Sequence, residues 1–377
     1  MKYSDQIGDW LVELGYTHCF FVAGGNIMHL LESANRRFTC MAFIHEVAAG
    51  VAVEYFNEVS DKGRAFALVT AGPGLTNIVT AVAGAYLESR ELLVIGGQVK
   101  TADLSRKKLR QRGIQEIDGA AIVAPITVES VLVDDVLDRN AFTALAEAGS
   151  HGRKGPVFLE IPLDIQGRDV DPAKLSSSPA AASNDNGMGS LATDELDRLA
   201  RAIRDAKRPA ILLGGGVSRE TMRAVEPRIA EMGIPVMTTW NGFDRVGADN
   251  PCYFGRPNTW GQRYANLVMQ QADLLIALGS RLGLQQTGFN WQQFIPAGKV
   301  VQVECDKVEL EKGHPRVDWP IHGDANNVLR HLSKADLGTH SDWLAYCRDI
   351  KTELPLSEAI NETRSGYLSP YEFCLTL

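Results

Sequence analysis

A histidine and a glutamate, His45 and Glu46, lie where the apolar segment "FTCMAFI" meets a run of small residues in "EVAAGVAVEYF". A carboxyl at such a junction could bind a metal, transfer a proton or interact favourably with a helix dipole. A zincin-type metal site needs a second histidine one helical turn after the first, on the same face. That position is Ala49, so the sequence excludes this site, and we predict no metal ligand in the chain.

Glycine-containing stretches follow the other apolar segments of the first half, in "VAGG", "TAGPGLTN" and "GGQ". Ligands of open parallel sheets bind beyond the carboxyl ends of the strands, so these stretches and Glu46 are predicted to share one edge. Each stretch alone is also explained by a tight turn or by a helix cap. None is a Walker loop or a GxGxxG fingerprint, and "GGGV" at 214–217 is not one either.

Strands and helices alternate along both halves, and the strands read as nearly continuous apolar runs, such as "RAFALVT", "ELLVIGG" and "ADLLIALG". This pattern is typical of parallel sheets covered by helices on both faces. We therefore predict an α/β protein with two doubly wound parallel-sheet domains. The predicted boundaries are 1–172 for the first domain, 173–191 for a Ser/Ala/Asn-rich linker, 192–340 for the second domain and 341–377 for a connector.

The composition limits the classes of partner. A net charge of −8 over 377 residues offers no general surface for nucleic acid. No apolar run approaches the ~20 residues of a membrane span. The six cysteines form no CxxC pair, which suits free thiols and predicts a cytoplasmic protein. The basic run "SRKKLRQR" at 105–112 is local, and we weigh a solvated face against a role in holding an anionic acceptor.

The order of the motifs is more specific than any one of them. "VAGG", "HE", "TAGPGLTN", "GGQV", "IQE" and "GPVFLEIPLD" together resemble the thiamine diphosphate-dependent enzymes, in particular the acetolactate synthase branch. The resemblance covers essentially the whole chain and two of that family's three domains. It implies a pyrimidine-binding domain followed by the central domain that carries FAD in the synthases.

The resemblance assigns roles to particular residues of the first domain. Glu46 matches the glutamate that contacts the cofactor's aminopyrimidine ring and shares a proton with it, and Gln115 matches a glutamine near the substrate. The remaining cofactor-lining positions are Ala23, Gly24, Pro73 and Asn77. The chain departs from the family in having Ala23 for the usual proline and Ile114 for an aromatic residue.

FAD-lining positions are implied in the same way. They are Arg153, Gly214, Gly215, Gly216, Thr239, Trp260, Gly261, Gly279, Arg281, Glu304 and Asp324. Three departures weaken this match: Gly283 and Gln285 replace an acidic and a basic residue, and Trp260 replaces a histidine. A structural Rossmann-like domain, or one that binds another nucleotide, stays an alternative.

The family's third domain holds the cofactor diphosphate through Mg²⁺, and its Gly-Asp-Gly signature is not recognisable here. We therefore expect a chain that lacks this domain and is inactive alone. The full enzyme is expected to be a homo-oligomer, a dimer or tetramer.

The resemblance implies a lyase or transferase that decarboxylates and ligates a 2-keto acid such as pyruvate. The acceptor could be a second pyruvate or a keto-sugar nucleotide. A non-catalytic fragment that binds a nucleotide or a partner subunit is the alternative from another class. A simple oxidoreductase is disfavoured, because no dinucleotide fingerprint is present.

Overall fold

The computed structural model of the protein describes residues 1–106, 108–176 and 191–376. They belong to two compact units, Met1–Asn186 and Gly187–Leu377. Most of the predicted linker lies outside the described residues, and its first residues belong to a short helix at Pro172–Leu175. The predicted domain boundaries therefore stay a prediction.

The first unit contains a sheet of six parallel strands in the order β2-β1-β3-β4-β6-β5. The strands are β1 (Tyr16–Phe21), β2 (Thr39–Ala42), β3 (Arg64–Val69), β4 (Leu92–Gln98), β5 (Glu129–Leu132) and β6 (Pro156–Pro162). The helices are α1 (Tyr3–Glu13), α2 (Met28–Asn35), α3 (Glu46–Val59), α4 (Pro73–Glu88), α5 (Gly119–Val123), α6 (Arg139–Glu147), α7 (Leu163–Gln166) and α8 (Pro172–Leu175).

Helices cover both faces of this sheet, because alternate residues of each central strand point to opposite sides. In β3, Phe66 and Leu68 pack on the side of α1, α2, α6 and α7. Ala65, Ala67 and Val69 pack on the side of α3, α4 and α5. The small residues on this second face let α3 and α4 lie close to the strands.

The second unit contains five parallel strands in the order β11-β10-β9-β7-β8. They are β7 (Pro209–Leu213), β8 (Val236–Thr238), β9 (Leu274–Leu278), β10 (Lys299–Glu304) and β11 (Trp319–His322). The helices are α9 (Thr193–Asp205), α10 (Arg219–Ile229), α11 (Arg263–Gln270), α12 (Leu284–Thr287), α13 (Lys307–Glu311), α14 (Ala325–Leu332), α15 (Ser341–Glu353) and α16 (Pro370–Thr376). One continuous apolar core joins this sheet to α9, α10, α11, α14 and α15.

The prediction of two parallel α/β sheets is confirmed. Two local features differ from the sequence interpretation. Helix α4 already begins at Pro73, so most of the predicted "AGPGLTN" loop is its first turn, with proline in the first position where its missing N–H costs nothing. Strand β5 was not predicted, because it is a short edge strand and only partly buried. Within the described ranges, no helix has the length and apolar character needed to cross a bilayer.

Candidate functional site

Glu46 is the first residue of α3, and His45 caps that helix. The His45 Nδ1 atom accepts a hydrogen bond from the Val47 amide at 3.2 Å. The side chain of Glu46 is buried, with 7% of its surface exposed. A negative charge at the start of a helix is favourable, so the junction itself tolerates a carboxylate.

Asn77 approaches this carboxyl from the neighbouring helix. It lies in the second turn of α4, and its Nδ2 atom donates to Glu46 Oε2 at 2.9 Å. Glu46 Oε1 receives no hydrogen bond from a described residue. A Cβ atom at Gly74 would lie 3.3 Å from Oε1, so glycine leaves space beside it. One oxygen of the carboxyl is thus held in place, and the other is available to a ligand.

Thr70, which the sequence interpretation missed, joins the glycine turns around Glu46. It follows β3, and its side chain would lie 2.3 Å from a Cβ atom at Gly24 and 2.9 Å from one at Gly74. Its Oγ1 atom accepts a hydrogen bond from the Asn26 amide at 3.4 Å. Ala23 lies exposed in the same turn as Gly24. The signal for Thr70 was its place as the first polar residue after an apolar strand.

Gln115 is held against the start of α4. A Cβ atom at Gly72 would lie 2.6 Å from the Gln115 carbonyl oxygen, so the two backbones touch. Gly72 precedes Pro73, the exposed first residue of the helix that carries Asn77. Gln115 has a φ of 62°, in the left-handed region. This backbone costs a non-glycine residue about 1 kcal/mol, and the surrounding contacts must hold it there.

A second buried carboxyl, Glu160, anchors the segment that follows Gln115. It lies in β6 with 1% of its surface exposed. Gln98, at the end of β4, donates from Nε2 to Glu160 Oε1 at 2.8 Å and to the Ile117 carbonyl at 2.9 Å. Burial raises the pKa of Glu160 to about 8, although backbone hydrogen bonds at Ala120 and the Gln98 amide oppose this shift. Sequence reasoning missed Glu160 because it stands inside an apolar strand.

The glycine turns of the second unit pack on each other. A Cβ atom at Gly214 would lie 2.1 Å from the Gly279 carbonyl oxygen, and one at Gly216 would lie 2.8 Å from the Gly279 Cα atom. Gly215 faces Asn241 instead, at 3.0 Å. The close approach of the turns after β7 and β9 is therefore enough to explain why positions 214, 216 and 279 are glycine, and a bound nucleotide is not needed for this explanation.

Other predicted residues of the second unit lie at the same carboxyl edge. The Thr239 amide donates to the Leu213 carbonyl at 2.9 Å, and Trp240 follows it. The Trp240 and Trp260 rings lie 6.2 Å apart, and 66% of Trp260 is exposed. Gly261 has no room for a side chain, since its Cβ atom would lie 2.2 Å from the Arg256 carbonyl oxygen. This edge therefore presents two exposed indole rings.

Two buried polar atoms near this edge have no partner among the described residues, Asn258 Nδ2 and Gln302 Oε1. The other ends of both amides are fixed. Asn258 Oδ1 accepts from the Trp260 amide at 2.7 Å, and Gln302 Nε2 donates to the Ser280 carbonyl at 2.9 Å. Unpaired buried polar groups are rare, so their donor and acceptor capacity fits a bound polar ligand.

The remaining predicted positions have structural tasks or lie elsewhere. Asp324 caps α14 by accepting from the Asn326 amide at 2.8 Å. Glu304 Oε1 accepts from the amides of Cys305 and Asp306. Arg281 Nη1 lies 3.9 Å from Glu309 Oε1. Arg153 belongs to the first unit, where its Nε atom donates to Ser89 Oγ at 3.3 Å.

Comparison with known families agrees with this architecture. Residues 1–122 match the thiamine pyrophosphate enzyme N-terminal TPP binding domain, and residues 196–332 match the thiamine pyrophosphate enzyme central domain. The two matches together span more than half of the chain, and the chain belongs to the thiamine pyrophosphate enzyme family.

Several curated relatives are acetolactate synthases. The chain is 33% identical to a probable acetolactate synthase large subunit of Methanocaldococcus jannaschii, over 81% of this chain and 52% of the relative. It is 31% identical to the acetolactate synthase large subunit of Corynebacterium glutamicum, over 92% of this chain and 55% of the relative. The acetolactate synthase isozyme 1 large subunit of Escherichia coli is 29% identical, over 89% and 58%. The chain spans about half the length of these relatives.

Proposed function

We propose that this chain is the pyrimidine-binding and central part of a thiamine diphosphate-dependent enzyme that decarboxylates and ligates a 2-keto acid, with pyruvate as the donor. The observation that carries the proposal is the carboxyl of Glu46. It is buried, one oxygen is held by Asn77, and the other faces Gly74 with no partner among the described residues. Such a carboxyl fits the ring nitrogen of an aminopyrimidine.

Residues of the first unit would have different roles around that ring. When bound, the cofactor supplies the electron sink for the keto acid. Glu46 would hold and move a proton at its free oxygen, Oε1, and Asn77 would keep the carboxyl in the orientation that this transfer needs. Ala23 and Gly24 would border the ring, with Pro73 at the start of α4. Gln115 would face the substrate from the segment against Gly72.

The cofactor diphosphate and Mg²⁺ are proposed to lie on a further domain, in the same gene product or in another chain. In this family the active site forms between subunits, so the complete enzyme is proposed to be a homo-oligomer in the cytoplasm. The central unit is proposed to bind FAD. The unpaired Asn258 Nδ2 and Gln302 Oε1 atoms and the exposed Trp260 ring support a flat, polar ligand there.

The proposal is tested by assaying the complete gene product for pyruvate consumption with and without thiamine diphosphate and Mg²⁺. We expect consumption that requires both additions. If acetolactate forms, a second pyruvate is the acceptor; if pyruvate disappears only after another carbonyl compound is added, the acceptor is different. If no keto acid is consumed in a thiamine-dependent way, the proposed activity is contradicted and the non-catalytic alternative is favoured.

A further inference from the structure

The segment Ser105–Gly113, here named the basic loop and described except at position 107, carries cations that pair with no described residue. Lys108, Arg110 and Arg112 are exposed, and none of them forms an ion pair with a described residue. Arg106 differs, because its Nη1 atom lies 3.1 Å from Asp134. Three exposed cations at alternate positions are notable in a chain whose net charge is −8.

Hydrogen bonds to one buried carboxylate hold the two ends of the basic loop together. Its two ends meet at the carboxylate of Glu116, which accepts hydrogen bonds from the amides of Ser105 at 2.5 Å, Arg112 at 2.8 Å and Gly113 at 3.1 Å. Desolvation raises the pKa of Glu116, but these backbone donors outweigh it and lower the pKa to about 2. Glu116 is therefore ionised at neutral pH and holds the loop closed.

The basic loop is fixed beside the candidate cofactor site. At its end, a Cβ atom at Gly113 would lie 2.6 Å from Val99, the residue after β4. Two residues further on, Gln115 touches Gly72 at the start of α4. The same helix positions Asn77 against Glu46. The basic loop therefore lies at the carboxyl edge of the sheet, next to the residues that would bind the cofactor.

The number and type of these cations indicate the ligand. A single carboxylate, such as that of pyruvate, is neutralised by one cation. Arginine guanidinium groups pair with phosphate oxygens through two parallel hydrogen bonds, and lysine adds a mobile positive charge. We propose that Lys108, Arg110 and Arg112 bind the phosphate or diphosphate group of the acceptor substrate. This inference rests on the proposed function, since it requires a donor activated beside Glu46.

The test measures binding of inorganic diphosphate and inorganic phosphate to this chain by calorimetry at low ionic strength, where exposed charges are little screened. The loop variant is Lys108→Gln/Arg110→Gln/Arg112→Gln. The control variant is Lys62→Gln/Lys154→Gln/Lys174→Gln, which removes three exposed lysines of the same unit and so changes the net charge equally. Lys62 and Lys154 precede β3 and β6, at the opposite edge of the sheet.

We expect the dissociation constant for diphosphate to rise about tenfold in the loop variant and to stay within about twofold in the control. Phosphate should bind more weakly and show a smaller change if the natural group is a diphosphate, and an equal change if it is a phosphate monoester. Equal weakening in both variants, or unchanged binding in the loop variant, would overturn the proposal.

Pyruvate consumption by the complete gene product separates this inference from the proposed function. Thiamine-dependent consumption together with unchanged diphosphate binding in the loop variant contradicts this inference alone. Loss of diphosphate binding in the loop variant, with no thiamine-dependent consumption, contradicts the proposed function and with it the acceptor role of the loop.

Discussion

Two buried carboxyls of the first unit differ in their surroundings. Glu46 accepts one hydrogen bond from Asn77, and its second oxygen has no partner in the part of the chain that the structure describes, which suits the proposed exchange of a proton with a ligand. Glu160 lies deeper, between β4 and β5, where Gln98 and backbone groups of α5 surround it. It holds the segment after Gln115 by accepting these hydrogen bonds, while burial disfavours its ionised form.

The pKa of Glu160 makes the stability of the protein depend on pH. Burial raises this pKa from 4.5 to about 8, so the folded state keeps a proton that the unfolded state loses above pH 4.5. The contribution of Glu160 to the free energy of unfolding is fully present below pH 4.5 and is lost as the pH rises through 8. The free energy of unfolding falls over this range by at most about 1.4 kcal/mol per pH unit. Glu160→Gln keeps the shape but cannot ionise, so we expect it to flatten this part of the profile.

Urea denaturation of both proteins at several values between pH 5 and 8 measures the difference. The free energy of unfolding of the natural protein should fall relative to that of the variant as the pH rises. Parallel profiles would show that folding does not raise the pKa of Glu160.

Residues at the site differed in how well the sequence revealed them. Gly24 follows β1, and Glu46 and Asn77 lie in the first two turns of the helices that follow β2 and β3. At such places a polar or glycine residue interrupts an apolar run and carries a visible signal. Thr70 and Glu160 act through contacts between strands, and those contacts depend on sheet order. The glycines at 214, 216 and 279 were predicted as ligand-lining, but their close backbone packing also explains them.

At the level of elements, the approach of α3 to α4 sets the distance between Glu46 and Asn77. Gly50 lies one turn after Glu46, and a Cβ atom there would lie 2.5 Å from the Ala81 Cβ atom and 3.0 Å from the Ile78 side chain. Glycine is unfavourable inside a helix. Its presence at position 50 therefore indicates that the close packing of α3 on α4 stabilises the fold by more than the helix propensity that glycine costs.

A larger residue at position 50 should separate these helices. We expect Gly50→Val to lower the free energy of unfolding by about 2 kcal/mol through overpacking. The double variant Gly50→Ala/Ala81→Gly moves one methyl group to the other helix, and the propensities of the exchanged residues cancel. It should unfold close to the natural protein in the same denaturant titration. A Gly50→Val protein as stable as the natural one would show that the contact is not tight.

The elements themselves were largely predictable, because buried parallel strands read as apolar runs and helices as periodic ones. The start of α4 was placed too late because "GPG" was interpreted as a turn, although a proline suits the first helical position. Strand β5 escaped prediction, since an edge strand has too little buried surface to show a continuous apolar pattern.

At the level of the whole molecule, each unit has its own parallel sheet and apolar core, so each has its own carboxyl edge for a ligand. The residues proposed to act on the keto acid and its cofactor all lie in the first unit. The second unit supplies a separate edge with exposed indole rings and two buried amide atoms that have no partner among the described residues. The proposed catalytic role and the proposed flavin site are therefore expected to be separable by mutation.

Glu46 is proposed to move a proton at the cofactor pyrimidine. The most direct test of this role is the rate at which the C2 proton of bound thiamine diphosphate exchanges with deuterium in the complete gene product. Glu46→Gln is compared with Glu54→Gln, because Glu54 is also buried in α3 but pairs with Arg90 at 2.9 Å. We predict exchange slowed about a hundredfold or more in Glu46→Gln and changed by less than about twofold in Glu54→Gln. Exchange in Glu46→Gln as fast as in the natural protein would contradict this role of Glu46.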